Sequence, residues 1–341
     1  MKINPEQKLN PKLGEVSIEQ VSVRQGFGDG LILAGEKDGK VVSLCADLKE
    51  STKNDLFAEK FPNRFFEMGI AEQNMAGVAS GLSAMGKIPF ISSYAVFSPG
   101  RNWEHIRTMI CYGNRNVKIA GHHSGLSAGP DGGSHQALED IAITRVLPNM
   151  TVIVPCDAIE ARKATLAVAK FVGPVYLRLA REKTPVMTTD DSPFEIGKAN
   201  LLVDPEKSQV GIVACGPILY QVLRATKKLN DEHILVSVLN MHTIKPLDKK
   251  ALDYLAKKTG ALVTVEEHQK SGGLGSAVSE YLVTEYPIPM EFVGVNDRFG
   301  QSGESTELIE HYDLGVDGII EKVKLVLARR NKLEQGHHNQ K

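Results

Sequence analysis

The chain has 341 residues, with 40 Lys plus Arg against 41 Asp plus Glu and a formal net charge of -1, a length that predicts about two domains. So even a balance carries no electrostatic footprint for nucleic acid or an anionic membrane, and no apolar run approaches the roughly 20 residues needed to span a bilayer. The opening MKINPEQKLNPKLGE has none of the apolar character of a secretory signal, and Cys45, Cys111, Cys156 and Cys215 lie far apart without a CxxC pair, so a cytoplasmic protein with reduced thiols is expected.

Residues 1–16 read as an N-terminal extension. Ser17, with Gln20 three residues on, has the form of a capping box and predicts that a helix starts there. Short apolar runs at Lys40–Asp47, Ile88–Ala95, Val117–His122, Thr151–Pro155 and Val175–Ala180 then alternate with helical patterns at Glu72–Met85, Asn102–Cys111 and Ala158–Val172. Such alternation is the signature of βαβ units and a parallel sheet, here in a first domain over 17–182. The pattern lapses over 183–208, which is polar and dotted with proline, and predicts a linker with a short hairpin. It resumes with apolar runs at Gln209–Cys215, Ile234–Leu239, Ala261–Glu266 and Met290–Val295, a second and smaller α/β domain over 209–328. The polar residues 329–341 read as a frayed tail, where adjacent His337 and His338 are a solvated pair rather than a metal site.

Open α/β sheets bind ligands beyond the carboxyl ends of their strands. Three polar segments in the first domain occupy such positions: Cys45–Ser51, Phe66–Asn74 and Gly121–Gln136. The second puts Glu72 at the start of a helix whose next residues are small and apolar, which predicts a partly desolvated carboxylate at a positive helix end. The third gathers His122, His123, Asp131 and His135 in one glycine-rich loop, a set suited to binding hydroxyls and phosphate or to moving protons. No HxH or HExxH spacing points to zinc.

The run GIAEQNMAGVASGLSAMGKIPFISSYAVF, followed by GPDGGSHQALEDIAITRVLPNMTVIVPCDAIEA, resembles the pyrimidine-binding domain of transketolases. The later VEEHQKSGGLGSAV and FGQSGESTEL resemble that family's C-terminal domain. The resemblance covers essentially residues 17 to 325. It implies an α/β fold: the pyrimidine-binding domain of a thiamine diphosphate enzyme, a parallel sheet with helices on both faces, plus a smaller C-terminal α/β domain. It further implies the C-terminal subunit of a split transketolase. Such a subunit moves a two-carbon ketol group between sugar phosphates in the pentose phosphate pathway, and is active only with an N-terminal partner subunit, in an α2β2 assembly. That partner would hold the cofactor's diphosphate and Mg2+.

Residue by residue, Glu72 matches the family glutamate that bonds N1′ of the cofactor's aminopyrimidine. Phe97 matches the aromatic stacked on that ring, Tyr94 a second aromatic, and Asp47 an aspartate beside the cofactor. His123, Asp131 and His135 match the substrate channel, His135 and Asp131 for sugar hydroxyls and His123 nearer the phosphate; His135 also counts as catalytic. Arg181, Ser51 and Arg24 match phosphate-holding positions. Pro130 and Gly133 depart from the family's GEDGPTHQ run, and the SPGRNWEH segment after Phe97 departs from its usual form.

Gly28-Asp29-Gly30 with Asn54 imitates the GDG…N motif that binds Mg-diphosphate, but that motif follows a buried strand, and here the context is helical. No metal ligand is therefore assigned in this chain. Gly272-Gly273-Leu274-Gly275 is an incomplete dinucleotide motif that reads as tight helix–strand packing, and Glu266, Glu267 and His268 read as structural or interfacial. The nearest alternatives are the β subunit of a 2-oxoacid dehydrogenase and a deoxyxylulose-phosphate synthase-like enzyme. The first would lack a reason for His123, Asp131 and His135 together with Arg181 and Ser51; the second shares the DGxxHQ run, but the AGHHSG stretch fits transketolase better. A non-catalytic assembly or regulatory module would have no need to retain Glu72, Phe97 and the loop histidines.

Overall fold

The computed structural model describes residues 2–338. The first strand and helix are β1 (Gln20–Ser22) and α1 (Val23–Lys37), followed by β2 (Val41–Cys45), α2 (Asp55–Lys60), β3 (Phe65–Glu67), α3 (Glu72–Ala84) and β4 (Ile88–Tyr94). Next come α4 (Trp103–His105), which runs into a π-helix over Ile106–Tyr112, then β5 (Lys118–His122), α5 (Asp140–Arg145), β6 (Thr151–Ile153), α6 (Ala158–Lys170), β7 (Val175–Arg178) and β8 (Lys183–Pro185). The remainder is β9 (Asn200–Val203), β10 (Val210–Ala214), α7 (Leu219–Asp231), β11 (Val236–Asn240), β12 (Thr243–Lys245), α8 (Lys249–Thr259), β13 (Leu262–Gln269), α9 (Leu274–Glu285), β14 (Met290–Val295), α10 (Ser305–His311) and α11 (Val316–His338).

Among the described residues one sheet has the order β12-β6-β7-β5-β4-β2-β3 and a second the order β14-β13-β10-β11-β9. Neighbouring strands are parallel except where β12 joins β6 and β9 joins β11. Central strands covered on both faces must be apolar throughout, which is why β2, β4, β5, β7 and β10 stand out in the sequence as continuous runs. The chain is α/β, as the resemblance implies.

Lys118 in β5 is a charged exception to that apolar rule, as is Arg178 in β7, and it is satisfied: its Nζ donates to Asn116 Oδ1 (2.6 Å), Phe171 O (2.7 Å) and Gly173 O (2.7 Å). Burial still costs the charged form, and its pKa falls to about 7.

Three features of the chain path differ from the sequence reading. Ser17 caps no helix; its hydroxyl bonds Glu15, and the next residues form β1, which pairs with β8. The linker contains no hairpin, because β8 pairs with β1 while β9 pairs with β11 in the second sheet. Beyond residue 328 the chain is not a frayed tail but continues as α11 to His338, the last residue described; residues 339–341 of the expected tail lie outside the described residues.

The two sheets share a core. Ile91, Ile119 and Val152 of the first belong to the same buried cluster as Val213, Leu239 and Met241 of the second. β12, on the edge of the first sheet, is contributed by chain from the second unit and brings Ile244 into that cluster. At the junction Asp140 Oδ2 accepts from Tyr176 Oη (2.6 Å) and Arg178 Nε (2.8 Å), and Arg178 Nη2 donates to Glu267 O (2.8 Å).

The glycines of the GDG segment have a packing role. Gly28, Asp29 and Gly30 lie inside α1. A methyl at Gly26 would strike the Ala158 carbonyl, and one at Gly30 would come within 2.7 Å of Thr165 Cβ, so glycine lets α1 lie directly on α6. Asp29 accepts from Gln25 (2.9 Å). Asn54 sits at the N-cap of α2 rather than within it, and is tied to Ser43 (2.6 Å) and Thr52 (2.7 Å).

Candidate active site

The sheet order β7-β5-β4-β2-β3 places five strand ends side by side, and every residue matched to the family's site except Arg24 lies at or beyond one of them. Arg181 follows β7, His123 follows β5, Tyr94 ends β4 with Phe97 just after it, Asp47 and Ser51 follow β2, and Glu72 follows β3. Arg24 reaches the same edge from the first turn of α1. Residues distant in sequence meet because parallel strands deliver all their outgoing loops to one side of the sheet.

Glu72 is 2% exposed and opens α3. Its Oε2 accepts from Arg101 Nη1 at 2.9 Å, and its backbone carbonyl accepts from Asn102 Nδ2 at 3.1 Å. Arg101, 47% exposed, also lies with its guanidinium carbon 4.7 Å from the centre of the Phe97 ring. A planar group with N–H donors therefore lies against Phe97 and donates to a buried carboxylate. Arg101 falls in the segment where the sequence departs from the family pattern, and nothing in its local sequence marks it.

A second group is aromatic. Tyr94 stacks on His123 (centroids 3.8 Å apart, 24°) and on Phe97 (6.1 Å, 15°), and His135 meets Tyr94 (6.0 Å) and Phe97 (5.5 Å) edge-on. His135 Nδ1 is 3.0 Å from Ser134 Oγ. His123 is buried with φ of 53°, a left-handed conformation that costs a β-carbon residue roughly 1–2 kcal/mol. Its pKa falls to about 3, first through burial and then through Arg24, Arg181 and His135, so the ring is neutral. Its Nδ1 has no hydrogen-bond partner among the described residues. His122, the preceding residue, points to the opposite face and packs edge-on against Phe27 (4.9 Å); it belongs to the core.

The third group is cationic. Arg24 Nη1 donates to Ser51 O at 2.8 Å, while Arg24 Nε is buried without a partner among the described residues. Arg24, Arg181, Lys53 and Lys183 line one cavity. Burial and then the charge of Arg181 lower the pKa of Arg24, an effect that nearby Glu182 and Asp131 offset only in part. Arg181 donates to Glu182 Oε1 (2.5 Å) and Ala128 O (3.2 Å), and its Nε is 3.9 Å from Asp131 Oδ2. Asp131 is thus brought to the cationic group.

Asp47 shares no hydrogen bond or ring contact with these groups among the described residues; its side chain is exposed. Its N–H donates to Glu67 Oε1 (2.7 Å), which also accepts from Met68 (3.0 Å) and Gly69 (3.1 Å). Glu67, to which the sequence reading assigned no role, thereby fixes the turn that leads into Glu72.

A family model for the transketolase pyrimidine-binding domain matches residues 19–187, and one for the transketolase C-terminal domain matches residues 197–319. The chain belongs to the transketolase family. Among its relatives is a putative transketolase C-terminal section from Methanocaldococcus jannaschii, 41% identical over 304 residues that cover 88% of this chain and 95% of the relative. A 6-deoxy-6-sulfo-D-fructose transketolase subunit from a Clostridium species is 38% identical, covering 93% of this chain and 98% of the relative. A solved structure described as a split gene transketolase, inactive beta4 tetramer, is 47% identical with a TM-score of 0.85, covering 91% of this chain and 99% of that one. Among the described residues of this transketolase chain, no helix is long and apolar enough to cross a membrane, and no group of three or more His, Cys, Asp or Glu side chains is placed to hold a metal ion.

Proposed function

We propose that the chain is the C-terminal subunit of a two-chain, thiamine diphosphate-dependent transketolase that transfers a two-carbon ketol unit from a ketose phosphate to an aldose phosphate. The observation that carries this reading is the arrangement of Glu72, Arg101 and Phe97. The Arg101 guanidinium, planar and bearing N–H donors, mimics what an aminopyrimidine carrying a proton at N1′ would offer: a face for Phe97 and an N–H for a buried carboxylate. The site thus fits the cofactor's pyrimidine, with Arg101, half in solvent, free to swing aside.

Glu72 would accept the hydrogen bond from N1′, and its near-complete burial strengthens that bond. Phe97 would stack on the ring, with Tyr94 supporting it from behind and Asp47 alongside the cofactor. When bound, thiamine diphosphate supplies a nucleophilic carbon and an electron sink for C–C cleavage. His135 and Asp131 would hold sugar hydroxyls, and His135 could exchange a proton with one of them. His123, kept neutral, would offer its unpartnered Nδ1 near the phosphate, and Arg24 and Arg181, with Ser51, would bind the phosphate through guanidinium forks.

The Mg2+ and the diphosphate would be held by an N-terminal partner subunit, in an α2β2 assembly. Two relatives named as a C-terminal section and as a subunit support a partner, as does the split-gene structure described as inactive. The relative named for a sulfonated fructose makes the anionic end of the sugar the feature that would vary between relatives. The test is reconstitution with an N-terminal subunit and assay on a panel of phosphorylated and sulfonated ketoses and aldoses. The mixture should turn over and this chain alone should not; full turnover by the isolated chain would overturn the two-chain reading.

A further inference from the structure

The loop that carries Asp131 and His135 is held internally by short turns, such as Gly132 N–H to Gly129 O (3.1 Å) and His135 N–H to Gly132 O (2.9 Å). It contains a 3-10 turn over Leu126–Asp131, and Gly125, Gly129 and Gly132 all have positive φ. Ordering so glycine-rich a segment costs more backbone entropy than ordering any other composition. Besides the loop's own turns and the Arg181–Ala128 bond, contacts from the second domain offset this cost near both ends of the loop.

At the leading end, the buried carboxylate of Glu267, near the end of β13, accepts the N–H of Ser127. That is the hydrogen bond its side chain makes among the described residues, so a costly buried carboxylate is committed to the loop. At the trailing end, Gln136 Nε2 donates to Gly129 O (3.1 Å) within the loop and to Gln301 O (2.9 Å) of the second domain. The fit there is close: a methyl on Gly300 would overlap the Gln136 carboxamide oxygen, and one on Gly133 would strike the Gly300 carbonyl. Just beyond, Gln269 N–H donates to Leu138 O (2.8 Å).

We infer that the second domain is the positioning element of the substrate loop, with Glu267 and the Gln136–Gln301 clamp as positioning residues that hold His135 and Asp131 at their working reach. This rests on the proposed function for what the loop binds, though not for how the loop is held. Neither Glu267 nor Gln136 need touch sugar or cofactor. Loosening either grip should therefore weaken sugar phosphate binding and leave the Glu72–Phe97 pocket as it was.

The experiment compares Glu267→Ala, Glu267→Gln and wild type in two ways. The reconstituted enzyme gives KM for ketose and aldose phosphates and half-saturation for thiamine diphosphate; the isolated chain gives amide hydrogen exchange over 125–137. Loss of a buried partner should raise KM about tenfold and speed exchange of that segment by a similar factor in Glu267→Ala. Cofactor half-saturation should stay within about twofold, and Glu267→Gln, which keeps an acceptor oxygen, should recover most of the loss. Unchanged KM and exchange would overturn the inference, as would a parallel loss of cofactor affinity or a Gln variant as impaired as Ala. Should Glu267→Ala fail to fold, Gln136→Asn, which shortens the clamp by one methylene, is judged by the same criteria. If wild-type reconstitution gives no turnover, the functional reading fails by itself. Exchange in the isolated chain then decides: acceleration confined to 125–137 supports positioning, and none refutes it.

Discussion

Replacing Glu72 by glutamine separates the chemistry proposed for this site from its contribution to the fold. The amide has the same shape and keeps an oxygen for the 2.9 Å bond from Arg101. What is lost structurally is the charge on that bond and a favourable carboxylate in the first turn of α3. Arg101 is half exposed, so solvent screens the pair to about 1 kcal/mol or less. The helix-end contribution adds about 0.3–1 kcal/mol. In a domain of this size a combined loss below about 2 kcal/mol lowers Tm by only a few degrees. The chemical loss should be far larger: glutamine cannot exchange a proton with N1′, and general acid–base groups of this kind contribute about 10²–10⁴ in rate. The assay is turnover of the reconstituted enzyme across a cofactor titration, with thermal unfolding of the same samples. Turnover within about threefold of wild type at limiting cofactor would refute the assignment, because the acid–base contribution expected there is at least about a hundredfold. A collapse of Tm would show instead that Glu72 is a structural group.

Other substitutions probe the frame. Gly26→Ala pushes a methyl into the Ala158 carbonyl and should destabilise by about 1–3 kcal/mol or more in urea unfolding. Asp29→Ala, at the centre of the same GDG segment, should leave the magnesium and cofactor dependence of the reconstituted enzyme unchanged. Asp140→Asn leaves the buried Arg178 guanidinium without its carboxylate and should cost about 3–5 kcal/mol, read by the same unfolding measurement. His242, buried and stacked 4.4 Å from Phe194, has its pKa lowered by burial to about 4. Because that is below the unfolded value, its stability contribution is complete above about pH 6.5 and is lost as pH falls towards 4. In His242→Phe the slope of stability against pH in that window should be shallower by up to about 1.4 kcal/mol per unit; an unchanged slope would show that the ring is protonated in the fold.

Much of the site was legible because its residues sit at fixed offsets from strand ends. Tyr94, Phe97, His123 and Arg181 lie at or just after apolar runs that had to be strands, so their convergence on one edge follows from a parallel sheet, whereas Glu72 was readable as the start of a helix and its strand, β3, was not. Arg24, which follows none of those strands, is nonetheless brought to Ser51 and Arg181 by α1. The helical context of Gly28-Asp29-Gly30 was equally readable, and α1 lying on α6 accounts for glycines there. What stayed hidden were interactions that no period encodes. Arg101 reaches Glu72 from the segment that departs from the family pattern, and Gln136 finds a carbonyl 165 residues away.

Strand runs, helix periods and loop chemistry are local properties, written into a few consecutive side chains by burial and by backbone geometry; they specify an α/β chain with a ligand edge and name most of the groups along it. Pairing and partnership are not local. Whether Lys183–Pro185 joins β1 and whether Thr243–Lys245 crosses to the first sheet is decided by which surfaces remain uncovered once the core has formed. The same holds for the substrate loop, whose glycines permit many shapes and whose one shape is selected by Glu267 and Gln301 from the other domain.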